Sequence, residues 1–387
     1  MHRYDFDTVY NRKGSGCFKA DALNMMYGKE DLLSLWVADM EFAIAPEIQA
    51  AMADRFSHPI LGYNFRLQPY YDSIINWIDK QYGWQIQKDW IINTPGIVTA
   101  LNIAVIVHTE PGDNILIQTP VYDPFFEAVR KHGRKLLTNP LQLNNGRYEI
   151  DFEDLENKLK ISKLFILCNP HNPVGRVWTT EELIRIGSLC RKYKVIVVAD
   201  EIHADIIYSG YKHIAFATLE DFADFTIACY APSKSFNLAG LCTSAIVISA
   251  ETLRKPFNDY VQSMHLYLGN TFGIVALQAA YSQGESWLKQ LIIYLEGNRD
   301  YILEFFAGNL PHLSVIKPEG TYLAWVDFRS LMLSDDEILH RLVNKAGLAL
   351  NMGRTYGDDG KGFVRLNFGC PRSVIVDACD RLYTTFK

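Results

Sequence analysis

No two of the seven cysteines form a Cys-x-x-Cys pair; Cys17, Cys168, Cys190, Cys229, Cys242, Cys370 and Cys379 are odd in number and widely spaced. That spacing argues against a disulfide framework and against a zinc site, and no metal is expected. Basic runs are also missing. Lysine and arginine number 38 against 44 acidic residues, for a net charge of −6, and are scattered, so no basic face exists to neutralise a phosphate backbone and nucleic acid is not an expected partner. The longest apolar stretch, 97–107, is interrupted by Thr99 and Asn102 and is too short to cross a bilayer, which removes the membrane as a partner. Residues 1–7 carry no signal-peptide pattern, and a cytoplasmic location is expected. Repeats, low-complexity tracts and Gly/Ser linkers are absent. The remaining class is a globular chain of 387 residues, 49% hydrophobic, that buries a large core in two packed units.

What the chain does contain is a rhythm. Residues 32–37 read as a short strand ending at Trp36, a core residue capping it. A helix opens at Pro46, with Ile48, Ala51, Met52 and Phe56 at helical spacing, and a second spans 69–82 with Tyr70, Ile74, Trp77 and Ile78 on one face. Apolar strands at 114–118, 135–139, 164–168, 195–199, 225–229 and 244–248 then alternate with helices at about 97–108, 123–132 and 180–193. This pattern predicts an α/β fold, a mostly parallel sheet covered by helices on both faces. From about residue 270 the pattern changes to long helices (272–282 and 286–306), strands at 313–316, 322–327 and 363–367, a helix at 335–345 and a last one ending at residue 386. A smaller α+β domain is expected there. The expected division is therefore an N-terminal segment 1–45 docking on the small domain, a large cofactor-binding domain 46–280 and a small C-terminal domain 281–387.

Loops that follow apolar strands in such a sheet are where sites form, and here they carry polar residues. Lys234 lies between two serines in a loop past an apolar run; a desolvated, directed lysine is a nucleophile, although a Ser-Lys pair by itself is usually a solvated turn. Asp200 follows Val-Ile-Val-Val-Ala, and a carboxylate at the end of so apolar a strand calls for a cation. Asn172 sits in a turn bracketed by prolines, and Tyr122 in Thr-Pro-Val-Tyr-Asp-Pro offers an aromatic face. At Gly96, Ile97 and Val98 a glycine turn runs into a helix whose free N–H groups suit an anion. Pyridoxal 5′-phosphate needs this set: a lysine for its aldehyde, a carboxylate for its ring nitrogen, a donor to its phenolic oxygen, a stacking aromatic and a helix start for its phosphate.

Four longer stretches carry a resemblance over essentially the whole chain. They are Trp36-Val-Ala-Asp-Met-Glu-Phe42, Asp200-Glu-Ile-His203, Ala231-Pro-Ser-Lys-Ser-Phe-Asn-Leu-Ala-Gly-Leu241 and Val364-Arg-Leu-Asn-Phe-Gly-Cys-Pro-Arg372. The sequence resembles the fold-type-I pyridoxal-phosphate enzymes of the aminotransferase superfamily, in the MalY/PatB branch of cystathionine and cysteine-S-conjugate β-lyases. The resemblance implies that Lys234 forms a Schiff base with the cofactor, Asp200 pairs with its ring nitrogen, Asn172 bonds its phenolic oxygen and Tyr122 stacks on it. Gly96, Ile97, Val98 and Ser233 would surround the phosphate, Arg365 would grip the substrate α-carboxylate, and Ala38 and Tyr322 would line the substrate pocket, with Asn172 between cofactor and substrate. Tyr63 matches a tyrosine lent to the neighbouring subunit's site, which implies a homodimer with shared active sites.

Two positions leave the common aminotransferase pattern: Cys242 replaces an arginine on the phosphate, and His203 replaces a tyrosine near the phenolic oxygen. A histidine there can also bond that oxygen, or be a core histidine bonded to backbone. The activity implied is β-elimination from an L-amino acid bearing sulfur, giving a thiol, pyruvate and ammonia. An aminotransferase of L-amino acids, or a cofactor-binding regulatory protein with little catalysis, are the other readings that these residues allow.

Overall fold

A seven-stranded sheet carries the larger part of the molecule in the computed structural model, which describes residues 4–387. Its strands in chain order are β1 (Ile91–Thr94), β2 (Asn114–Thr119), β3 (Lys135–Pro140), β4 (Leu164–Cys168), β5 (Ile196–Asp200), β6 (Thr226–Tyr230) and β7 (Ser244–Val247). They lie side by side in the order β1-β7-β6-β5-β4-β2-β3. The five from β6 to β3 run parallel, whereas β7 is antiparallel to both its neighbours. Side chains alternate between faces along each strand, and both faces are apolar. Ile117, Ile166, Val198 and Ile227 pack on one side against the helices Ile97–His108 and Glu251–Ser263. Leu116, Phe165, Leu167 and Val197 pack on the other against Phe152–Leu159 and Thr180–Tyr193. Burial on both faces is what makes β4 and β5 read as unbroken apolar runs.

The second sheet holds β8 (Ser314–Ile316), β9 (Leu323–Asp327), β10 (Asn351–Met352) and β11 (Phe363–Asn367), antiparallel in the order β8-β9-β11-β10. Helices Glu285–Asn309 and Arg372–Phe386 share a core with this sheet and with the helices Pro46–Ser57 and Gln68–Tyr82. Ahead of them, the strand expected at 32–37 shortens to Leu33–Ser34, which pairs in parallel with Leu348–Ala349. The chain stays on the second sheet beyond that point: Leu35 O accepts from Asn367 N at 3.0 Å, and Glu41 N donates to Gly369 O at 2.8 Å. Trp36 is buried, its indole nitrogen donating to Lys19 O at 3.0 Å.

Several elements lie outside the sequence expectation, among them the short pair Gln142–Asn144 and Arg147–Glu149, β10 and the following three. β1 is a four-residue edge strand directly before the glycine turn at Gly96. The helix Phe152–Leu159 is announced only by its N-cap, where Asp151 accepts from Asp154 N. Glu251–Ser263 carries Pro256 inside it, which masks the helical spacing of Leu253, Phe257 and Val261.

Candidate active site

The carboxyl ends of β4, β5 and β6 bring Cys168, Asp200 and Cys229 into register. All three face the helix Ile97–His108, because Cys168 and Cys229 belong to the core on that side. Asp200 is 4% exposed, and its Oδ1 accepts one backbone bond, from Ile202 N at 3.2 Å. Burial pushes its pKa from 3.8 up to about 7, against the pull of that N–H and of Lys234. The flanking thiols offer no charge, since burial and the nearby Asp200 hold both well above the ordinary cysteine value. A buried carboxylate with neutral neighbours is costly until a cation meets it.

Lys234 stands in the short turn Pro232–Ser235 directly after β6. Its Nζ donates to Ala38 O at 2.6 Å, and the same carbonyl accepts from the Tyr322 hydroxyl at 2.9 Å. Burial and the positive charge of Arg365 lower the lysine from 10.5 to about 8, opposed by Asp39 and Asp200. Near neutral pH a useful fraction of this amine is therefore unprotonated, as a nucleophile or a general base requires.

Asn172 lies in the turn after β4, where the peptide bonds Asn169–Pro170 and Asn172–Pro173 are cis. Its Oδ1 accepts from Arg365 Nη1 at 3.2 Å, so the amide nitrogen is the end left for another acceptor. Arg365, on β11, is 2% exposed; its Nη2 donates to Trp36 O at 2.7 Å, its Nε has no partner, and its guanidinium lies 5.2 Å from the Tyr356 ring centre. No carboxylate among the described residues forms an ion pair with it. A buried cation held by neutral acceptors is poised for an anion from outside.

The cavity shared by Asp200, Lys234 and Asn172 has a volume of about 240 Å³. Its wall includes Ala38, Tyr122, Asn172, Asp200, His203, Ser233 and Lys234, and at one end Gly96, Ile97 and Val98. Gly96 sits at φ +99°, a conformation that favours glycine, and caps the twelve-residue helix that follows. That helix start lines the cavity, and Cys242, at φ +44° and exposed, occupies the neighbouring wall, so that Lys234 is the one lysine or arginine among the cavity's lining residues. His203 is buried and neutral, its pKa driven well below 6.5 by burial and by Lys234 and Arg365, and its Nδ1 has no partner. Burial and Asp200 raise the Tyr122 hydroxyl to about 12, so it too stays neutral.

Arg365 and Tyr322 stand one residue behind the wall, touching Asn172 and Ala38. Tyr63 is 96% exposed and takes no part in the cavity of its own chain. Sequence reasoning missed the residues that fix the 36–42 loop over Lys234. Asn367 Nδ2 donates to Val37 O at 2.6 Å and to Asp39 O at 2.7 Å, and Asn237 exchanges three hydrogen bonds with Met40 and Phe42. A signal was available, because Asn367 lies two residues past Arg365 on one strand and so shares its face.

The arrangement fits pyridoxal phosphate. Asp200 can pair with a protonated ring nitrogen, the partnerless His203 and the free end of Asn172 can meet a phenolic oxygen, Tyr122 can cover the ring, and the helix start with Ser233 can take the phosphate. Comparison with known proteins agrees in extent. The family model "Aminotransferase class I and II" matches residues 48–382. Cystathionine beta-lyase PatB of Bacillus subtilis is 43% identical over 98% of both chains. Among solved structures, a pyridoxal-phosphate-bound protein of Clostridium difficile 630, provisionally named an aminotransferase, superposes with TM-score 0.98 at 43% identity over the whole of both chains. Cystalysin of Treponema denticola, with pyridoxal 5′-phosphate, does so with TM-score 0.96 at 36% identity over 99% of each. On a match that spans both sheets and every strand end of the cavity, the chain belongs to the aminotransferase class I and II family.

Proposed function

We propose that this chain is a pyridoxal-phosphate-dependent carbon–sulfur β-lyase, cleaving L-cystathionine or related cysteine S-conjugates to a thiol, pyruvate and ammonia. The observation that carries it is the convergence of a lysine with a depressed pKa, a buried carboxylate and Asn172 on one cavity, with Arg365 bonded to Asn172 directly behind its wall. The names of its relatives support the lyase over the transferase: besides PatB, Protein MalY of Escherichia coli is 33% identical over 96% of this chain and 95% of its own length.

Pyridoxal phosphate bound here supplies an electron sink next to the amino nitrogen, which stabilises negative charge at the α carbon. Arg365 takes the α-carboxylate, as a planar fork can and a lysine cannot. Lys234 removes the α proton at Nζ, and the Ala38 carbonyl receives that amine when it is free. Asp200 holds a proton-bearing ring nitrogen in place by its charge. Cys242 and His203, where the common aminotransferase pattern has arginine and tyrosine, mark the branch on which elimination is favoured.

The domain division at 45/46 and 280/281, a cytoplasmic location and a homodimer with shared sites belong to the same proposal. An apolar run at Phe56, Ile60, Leu61, Tyr63, Phe65 and Leu67 is exposed on the single chain, the kind of surface that a second copy covers. Among the described residues no helix is long and apolar enough to cross a membrane.

Incubation of the purified holoenzyme with L-cystathionine and no keto acid tests the reading. Repeated release of pyruvate with equimolar thiol is the expected result. A single half-turnover ending in pyridoxamine phosphate assigns the chain to transamination instead, and protein without a visible absorbance that borohydride bleaches overturns both.

A further inference from the structure

Lysine is seldom buried, yet Lys19 is 1% exposed and lies in no cavity described above. Its Nζ donates to Asp39 O at 3.0 Å and pairs with Glu41 Oε1 at 2.7 Å and Asp39 Oδ1 at 3.4 Å. Arg12 closes the group from the solvent side, 2.7 Å from Asp39 Oδ2 and 2.8 Å from Glu41 Oε1. Two cations thus hold two carboxylates on a single turn. The Lys19 backbone carbonyl also accepts from Ser34 Oγ at 2.7 Å and from the Trp36 indole, so the residue ties both ends of segment 34–41. Between those ties lies Ala38, whose carbonyl receives Lys234 Nζ.

We propose that Lys19, closed by Arg12, is a positioning residue for Lys234: the four-charge clasp on Asp39 and Glu41 fixes the Ala38 carbonyl that holds the lysine amine and balances the charge beside it. The inference rests on the reading of Lys234 as the residue that captures pyridoxal phosphate. A structural ion pair would need no link to the amine, but here the clasp and the amine share adjacent residues, Ala38 and Asp39. The charged and titratable groups facing Lys234 are Asp200 at the end of β5, His203 in the loop after it, Arg365 on β11, Tyr322 before β9, and Asp39 and Lys19 of the clasp. Asp39 raises the lysine's proton affinity and Lys19 lowers it. Removing either one of them shifts the amine in opposite directions, which loss of packing cannot imitate.

The test follows capture of pyridoxal phosphate by the full-length cofactor-free chain through its visible absorbance, from about pH 6 to about pH 10, where a neutral amine becomes available. In the unsubstituted protein the capture rate rises with a midpoint near that of Lys234, about 8. Lys19→Met moves the midpoint alkaline and Asp39→Asn moves it acid, each by about half a pH unit or more, while Lys19→Arg restores it. Arg12→Gln, at a side chain 27% exposed, moves it alkaline without emptying the core and decides the question if Lys19→Met does not fold. Midpoints that stay together, or that move the same way in Lys19→Met and Asp39→Asn, overturn the clasp. No capture by the unsubstituted chain at any pH overturns the cofactor reading instead.

Discussion

Asp200 and Lys234 are displaced toward each other, the acid from 3.8 up to about 7 and the base from 10.5 down to about 8, because burial disfavours the charged form of each. For the cofactor-free protein this is a stability statement. Between pH 4 and 7 the folded chain binds a proton at Asp200 that the unfolded chain has lost, so this group's contribution to stability is full below about pH 4 and is lost as pH rises to about 7. Asp200→Asn removes that dependence. The variant is expected to gain thermal stability relative to the unsubstituted cofactor-free protein as pH rises through this window, with a constant difference above it, while retaining pyridoxal phosphate less well; melting curves at pH 5 and pH 8 with and without cofactor measure both. Lys234, Asp200, Asn172 and Tyr122 were legible in the sequence because each is polar where an apolar strand has just ended. Lys19, Asn237 and Asn367 were not, because their partners lie beyond any helix or strand spacing: Lys19 meets the Asp39 and Glu41 carboxylates across a loop, and Asn237 and Met40 are 197 residues apart.

At the scale of the element, the 36–42 loop has no regular structure of its own and is shaped by side chains from the end of β11 and from the turn after Pro232–Ser235. Asn237, at φ +56°, takes the Met40 N–H on its Oδ1 and gives its Nδ2 to the carbonyls of Met40 and Phe42. Asn237→Ala breaks all three bonds and places a Cβ-bearing residue less tolerant of positive φ there. At roughly 1 kcal/mol net per bond, a loss of about 2–3 kcal/mol in urea unfolding is expected, accompanied by weaker turnover because Ala38 is no longer held. An unchanged unfolding midpoint would show that Asn367 and the Lys19–Arg12 clasp hold the loop without Asn237. The sheet itself was legible in β4 and β5, since burial on both faces leaves a continuous apolar run. β1 was not, because four residues ending in Asn93 and Thr94 look like the turn that follows them. The helix Glu251–Ser263 was hidden by Pro256, although its buried residues keep a spacing of four.

For the whole molecule, the single chain meets the phosphate end of its cavity with a helix start, Ser233 and Cys242, and leaves an apolar surface open on residues 56–67, none of which lines that cavity. A second copy packed on residues 56–67 would cover the apolar surface and bring the Tyr63 hydroxyl as a further hydrogen-bond donor to the phosphate end of its neighbour's cavity. Phe65 is 82% exposed and Tyr63 96%, more than a lone soluble chain usually leaves open in one contiguous segment. Light scattering is expected to give a mass about twice 44.2 kDa. The paired change Leu61→Asp with Phe65→Asp places like charges against their own symmetry mates and is expected to yield a folded monomer with unchanged far-ultraviolet dichroism and weakened cofactor retention. Tyr63→Phe separates the two roles: the dimer persists, because the ring still packs, while pyridoxal phosphate dissociates faster on dilution. A chain that runs at 44.2 kDa at every concentration and still holds its cofactor would confine the site to one copy, and the helix start at Gly96 with Ser233 would then have to balance the phosphate unaided.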